Sequence, residues 1–449
     1  MKRVRIGNGC GFWGDNLDAP IYLAERGRLD YLTLEYLAEL TMSILALQKQ
    51  RDPQAGYASD FLDVLTRLAP LLKLQPGLKI ITNAGGMNPA ACATKARAIL
   101  DRAGISDCPI GIVGGDDLFP RLDELLAGRH PLEHIDTHGS LSSIRDRVVS
   151  VNAYLGAKPI VSALKQGARI VITGRVADAS LTVAPALFEH NWEWNDWDRL
   201  GAATTAGHLI ECGAQVTGGL WCRWQDVPNL ADVGYPIAEV DLDGTFRISK
   251  TPNSGGIVNR ETVAEQLLYE VGDPARYLTP DVVADFTTVA LRESAPDEVE
   301  VTRSHGLPAT DTYKVSIAYR DGYMASGLLA IAGPHASTKA KRAGEMLLAR
   351  LTRIGLTFEA SHIETIGDGS LARGVLGVQD VPEVMLRVGV RDHSKAAVER
   401  FTKEFAPLVT SGPPGVTGYT TGRPPVREVF AYWPALIAKS AIREEVRIV

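Results

Sequence analysis

Apolar residues follow two rhythms along this chain. In the first half, short apolar-rich runs recur at residues 4–7, 31–34, 78–81, 110–113 and 170–172, the last without polar alternation. Strands with no polar face suit a sheet covered on both sides, as parallel sheets are. Most of these runs end in a glycine-bearing turn: GNGCGFWGD at 7–15, NAGGMN at 83–88, GGDD at 114–117 and TGRVAD at 173–178. Apolar residues three and four apart then predict helices over 18–26, 39–50, 61–72, 89–103, 122–126, 179–189 and 200–215, and over 144–166 with a break at 157–160. Pro89 stands where a helix tolerates proline best, in its first turn. Strand, glycine turn and helix in repetition is the pattern of βαβ units.

After Trp224 the rhythm changes. Strands are predicted at 238–240, 246–248, 286–291, 358–363 and 384–390, with helices from 261, over 337–353 and over 395–405. The run YKVSIAY at 313–319 alternates, and Asp321-Gly322 reads as a hairpin turn returning through 325–331. The stretch 411–425 reads as an ordered loop returning to a core. The fold class is therefore α/β: a mostly parallel sheet with flanking helices in the first half, followed by a more β-rich α+β half. Two domains are expected, 1–225 and 226–449, the second closing a crevice over the first.

Composition narrows the function classes. Net charge is −6, with 47 Lys plus Arg against 53 Asp plus Glu and no basic run, so a nucleic-acid partner is not expected. No apolar stretch approaches the roughly 18 residues of a membrane span, and the start MKRVRIGNG lacks the apolar core of a secretion signal. A cytoplasmic protein is expected, and a homo-oligomer, the common case. The five cysteines, Cys10, Cys92, Cys108, Cys212 and Cys222, form no CxxC pair, which argues for reduced thiols. His134 and His138 flank Asp136 but show no HExxH pattern, and no metal site is assigned.

The candidate chemistry lies at the strand ends. RIVITGRVADAS at 169–180 is a buried strand running into a turn that carries Thr173, Gly174, Arg175 and Asp178. Strand-to-helix corners in open α/β sheets collect ligands, because free backbone NH groups and the helix dipole favour anions. Asp178 reads either as the N-cap of the next helix or as an acid or base, and Arg175 either as a surface ion-pair partner or as a holder of carboxylate or phosphate. Glu35, closing the second strand, is another acid or base candidate. Asn8, Asn83, Gly85, Gly86, Gly115 and Asp116 belong to the neighbouring turns, and Asn253, Ser254 and Gly255 form a polar turn further on. On the helix over 200–215, His208 shares a face with Glu211 and Cys212, so a carboxylate-oriented base beside a thiol is geometrically available; a hydrogen-bonded core corner is the plainer alternative.

Taken together, GNGCGFWGD (7–15), YLTLEYLAE (31–39), ITNAGGMNP (81–89), ITGRVADAS (172–180) and PNSGGIVN (252–259) resemble the acyclic terpene utilisation family of the AtuA type, from residue 6 to about 423. The resemblance implies catabolism of branched terpenoid acids and related acyl-CoA compounds. Longer members carry a small ferredoxin-like domain, which here is expected as a separate small subunit if it is present at all. The leading reading is an acyl-CoA or carboxylate-processing lyase or hydratase, with no cofactor beyond CoA as part of the substrate. The alternatives are a hydrolase using Cys212 or Cys10 with His208, and a noncatalytic carrier subunit.

Overall fold

The computed structural model describes residues 3–449 apart from 373, 376, 378, 420 and 421, so part of the loop over 411–425 lies outside the described residues. The first half supplies six strands: β1 (Arg3–Asn8), β2 (Tyr31–Leu34), β3 (Lys79–Thr82), β4 (Ile110–Gly114), β5 (Val148–Ala153) and β6 (Ile170–Thr173). Five of them form a parallel block in the order β1-β2-β3-β6-β4. Their apolar residues are buried almost without exception, as runs without alternation require. All five strands point the same way, so residues 8, 35, 83, 115 and 174 arrive at one edge of the sheet.

The sheet then grows by antiparallel addition. β7 (Pro236–Asp241) pairs with β1, β8 (Phe246–Lys250) with β7, and strands Glu298–Thr302 and Ala290–Ala295 follow outward. At the opposite edge Glu445–Ile448 pairs antiparallel with β4, giving ten strands. Helices Asp60–Leu74 and Pro89–Arg102 cover one region of the sheet, the latter started by Asn88, whose side chain accepts from the Ala91 N–H at 3.3 Å. Leu65, Leu68, Leu72, Ala93, Ala96 and Leu100 join Ile80 and Ile172 in one continuous core.

Contacts divide the chain into two compact units, Met1–Ala318 with Tyr432–Val449, and Tyr319–Ala431. In the second, Ala360–Ile366 pairs antiparallel with Glu383–Asp392, which pairs antiparallel on its other side with residues 323–332, and the helices Ala336–Arg353, Lys395–Phe401 and Phe405–Ser411 accompany them. Its core gathers Leu329, Leu347, Leu386, Val388, Phe401 and Phe405.

Several local expectations change. The stretch expected as a helix over 144–166 is the strand β5 followed by the shorter helix Lys158–Lys165. Val148, Val149 and Val151 fit either period, and burial of every residue of β5 decides for the strand. The hairpin expected at Asp321-Gly322 is absent: residues 312–332 are one strand, and its second part pairs with Glu383–Asp392. Gly322 takes φ +87° there, and a Cβ would stand 2.7 Å from the Asp392 carbonyl oxygen, so its glycine serves a close approach within the sheet. The helix over 395–405 is two short helices, and the strand Glu445–Ile448 had no counterpart in the sequence reading.

Candidate functional site

At the edge where the parallel strands end lies a cavity of about 770 Å³, and every residue lining it belongs to the first unit. Six carboxyl side chains (Asp15, Glu35, Glu39, Asp178, Glu211, Glu270) face it with two cations, Arg175 and Lys314. Tyr154, Tyr235, Tyr269 and Tyr277 also line it.

The turn after β6 sets its centre. Arg175 is buried, and its Nη1 donates to the Leu37 carbonyl at 2.7 Å, stands 3.1 Å from Asp178 Oδ1 and 3.9 Å from Glu35 Oε1. The guanidinium lies over the Tyr154 ring at 4.2 Å. Asp116 orients this arginine from behind: its Oδ2 accepts from the Arg175 backbone N–H at 2.9 Å and from Asn152 Nδ2 at 3.0 Å. Gly174 makes room for that carboxylate, since a Cβ there would come within 2.2 Å of Asp116 Oδ1. Burial pushes the Asp116 carboxyl up to about 7 against the pull of the Arg175 N–H.

Glu35 emerges from β2 and is buried. Its Oε1 accepts from the Leu37 N–H at 3.0 Å and from Asn83 Nδ2, while Oε2 has no hydrogen-bond partner among the described residues. Burial and then the nearby Asp178 hold its carboxyl well above the usual range, with Arg175 opposing. Asp178 is the more open of the two, its side chain 36% exposed to the cavity, and burial of its surroundings raises it too. Asp178 is not the N-cap: Ala179 holds the cap position of the helix Ser180–His190 and offers no side-chain cap, and the Asp178 carboxylate turns back to Arg175 instead. The first turn of that helix is held by Asp281, which accepts from Ser180 Oγ at 2.6 Å and from the Ala157 N–H.

On one wall the Tyr154 hydroxyl donates to Glu39 at 2.5 Å and Lys314 Nζ reaches the same carboxylate at 3.3 Å. Burial pushes Glu39 up, but the Tyr154 hydroxyl, Lys314 and Arg175 outweigh it and leave the carboxyl at about 2. On another wall His208 Nδ1 meets Glu211 Oε1 at 3.0 Å, and the imidazole stacks against Phe286 and tilts against Tyr277. Burial drives Glu211 up to about 7, with His208 opposing. The pair raises the histidine, burial alone having the contrary effect. Cys212 is pushed to about 12 by burial and by Glu211, and burial and Asp15 raise Cys10 further from its usual value. His208 is committed to Glu211, so the constellation supplies no thiolate.

The remaining expected residues do not line the cavity and make contacts around it or away from it. Asn8 donates through Nδ2 to the carbonyls of Cys10, Ile210 and Glu211, tying β1 to the end of the helix Trp197–Glu211 and so placing Glu211 on the cavity. Asn83 receives the Tyr36 N–H and holds Glu35. Cβ atoms at Gly85, Gly86 and Gly115 would come within 2.5 Å of Thr173 O, 2.4 Å of Leu45 Cδ1 and 2.0 Å of Arg443 O, so these glycines pack segments together. The Thr173 hydroxyl bonds the Gly174 carbonyl. Asn253, Ser254 and Gly255 lie away from the cavity lining: Ser254 Oγ donates to Thr251 O, and Gly255 packs on Asn229. Glu39, Tyr154, Lys314 and Glu270 escaped the sequence reading. Glu39 alone carried a signal, four residues after Glu35 within YLTLEYLAE.

A family model described as "Acyclic terpene utilisation family protein AtuA" matches residues 4–448. The chain belongs to that family. Membership associates it with acyclic terpene utilisation, and in this AtuA-family chain the matched span takes in every residue lining the cavity. No curated protein and no solved structure matches it. Among the described residues of this AtuA-family chain no helix is long and apolar enough to cross a membrane, and no cluster of three or more His, Cys, Asp or Glu is arranged to hold a metal.

Proposed function

We propose that this AtuA-family chain is an enzyme acting on an acyl-CoA or related carboxylic acid derived from branched or terpenoid compounds, adding or removing water across the double bond next to the carbonyl. The observation that carries the reading is the Glu35–Arg175–Asp178 group. Two carboxyls that burial raises stand 3.9 and 3.1 Å from one guanidinium, and in this reading one serves as acid and the other as base. An acid then stands beside a base of the same kind.

In the hydration direction the ionised carboxylate takes a proton from water as the water oxygen bonds to the β-carbon. The protonated carboxyl delivers its proton to the α-carbon, where the enolate electrons close. The two groups exchange roles, and dehydration runs the same steps backward. Arg175 keeps the ionised member charged in a cavity whose six carboxyls would otherwise repel it. That excess of carboxyls also suits an uncharged acyl group inside the cavity rather than a free anion.

The test is turnover of branched 2-enoyl and 3-hydroxyacyl CoA thioesters followed by water addition or loss. Conversion by the wild-type protein with more than about hundredfold loss in Glu35→Gln and Asp178→Asn supports the reading. Full activity in either variant rejects it.

A further inference from the structure

Adding water across a double bond next to a thioester drives negative charge onto the carbonyl oxygen, which calls for a donor aimed at it. Glu35 and Asp178 handle the protons in the reading above, so the oxygen needs a separate partner. Two cations line the cavity, and they differ in what they can reach. The Arg175 side chain is 3% exposed, and its Nη1 is taken by the Leu37 carbonyl, Asp178 and Glu35. The Lys314 side chain is 45% exposed. Among the described residues lining the cavity, Lys314 is the cation that an incoming group can touch.

The chain also holds this ammonium in place. The Tyr154 N–H donates to the Lys314 carbonyl at 2.9 Å, which sets the residue after β5 beside Lys314 on the strand Thr312–Ala332. Lys314 Nζ lies 4.7 Å from the centre of the Tyr154 ring and 5.7 Å from that of Tyr432, and reaches Glu39 Oε1 at 3.3 Å. The shorter bond to that carboxylate, 2.5 Å, comes from the Tyr154 hydroxyl. An ammonium has three N–H groups. Glu39 takes one and the Tyr432 hydroxyl engages a second, which leaves the third for a ligand. The Arg175 guanidinium lies 4.2 Å from the same Tyr154 ring, so the two cations stand within about 9 Å of each other.

We infer that Lys314 holds the thioester carbonyl oxygen, donating an N–H to it as the enolate forms. When water bonds to the β-carbon, the double-bond electrons move through the α-carbon onto that oxygen. The ammonium stabilises the charge and keeps its own proton. When the α-carbon takes a proton from the acid carboxyl, the electrons return and the carbonyl re-forms. Two ring faces and one carboxylate fix the donor beforehand, so little reorganisation accompanies the step. This assignment rests on the acyl-thioester reading above.

The experiment uses the full chain with a saturated branched acyl-CoA carrying ¹³C at the thioester carbonyl, a ligand that cannot be hydrated. Infrared difference spectra of the bound carbonyl are recorded for wild type, Lys314→Met and Lys314→Arg, with affinities from calorimetry and melting temperatures in parallel. Turnover of a branched 2-enoyl thioester is measured beside them. The carbonyl stretch should fall below its value in water on wild type, return to that value in Lys314→Met, and be partly lowered in Lys314→Arg, which keeps the charge. kcat should drop more than about hundredfold in Lys314→Met while the affinity for the saturated thioester changes less than about tenfold. An equal carbonyl stretch in wild type and Lys314→Met, full kcat in that variant, or no thioester binding by wild type would each overturn the assignment. A carbonyl lowered by Lys314 in a protein that hydrates no enoyl thioester would refute the hydration reading and support this one. Hydration with a carbonyl indifferent to Lys314→Met would refute this one alone.

Discussion

Asp116 supports Arg175 from beneath, and replacing it with asparagine separates its geometry from its proton. An asparagine oxygen can still accept from the Arg175 N–H at 2.9 Å and from Asn152 Nδ2 at 3.0 Å. In the native protein the carboxyl has moved from 3.8 to about 7, chiefly through burial. A carboxyl whose folded pKa lies above its unfolded one binds more protons folded than unfolded in between. Stability contributed by the protonated form is therefore complete below pH ~4 and is lost as pH rises toward 7. A shift of about three units at 1.36 kcal/mol each makes that loss roughly 4 kcal/mol. Asp116→Asn should remove this contribution to the pH slope, so that the variant matches or exceeds wild type at pH 8 and loses its advantage at pH 4. Denaturant unfolding from pH 4 to 8 reads the difference. Parallel wild-type and variant curves across that window would refute the buried-proton account of Asp116.

Other residues offer independent checks. Arg175→Ala should cut turnover by more than about hundredfold and move the acid limb of the pH–rate profile upward, because the cation that lowers Glu35 and Asp178 is gone; an unchanged profile would remove Arg175 from the chemistry. Tyr154→Phe deletes a donor to Glu39, whose carboxyl now sits at about 2. A carboxyl held low contributes stability above its unfolded pKa and loses it as pH falls, so this variant should unfold at higher pH than wild type in an acid titration. Cys212, pushed to about 12, should react slowly with iodoacetamide at pH 8, and rapid labelling with loss of activity would restore a thiol mechanism. Gly85→Ala should destabilise the fold by about 1–3 kcal/mol in denaturant, because the added carbon meets the Thr173 carbonyl at 2.5 Å with backbone on both sides.

The parallel half was legible because its strands are short apolar-rich runs, most of them ending in glycine turns, as at IVIT before Gly174 and KIIT before the turn NAGG. The strand β5 was not, since valines at 148, 149 and 151 also fit a helical face. Asp321-Gly322 carried a genuine turn signal, and pairing of the neighbouring residues with Glu383–Asp392 overrode it. In the site, Arg175, Asp178 and Glu35 could be read from single segments because each lies in the turn that follows a strand. Glu39, Tyr154 and Lys314 could not: they meet only where a helix start, the residue after β5 and the strand Thr312–Ala332 come together, and no local spacing encodes that meeting. The glycines were visible in the sequence, and the packing around them was not. Cβ atoms at Gly85 and Gly115 would meet the backbone of Thr173 and Arg443, and one at Gly86 the Leu45 side chain.

The account turns on two raised carboxyls acting as acid and base beside Arg175. Its most direct measurement is the pH–rate profile for hydration of a branched 2-enoyl thioester by wild type, Glu35→Gln and Asp178→Asn, with melting temperatures recorded in parallel. A bell-shaped wild-type profile that collapses by more than about hundredfold in both variants, at unchanged melting temperature, is the predicted result. Wild-type rates and an unaltered bell in either variant would contradict it.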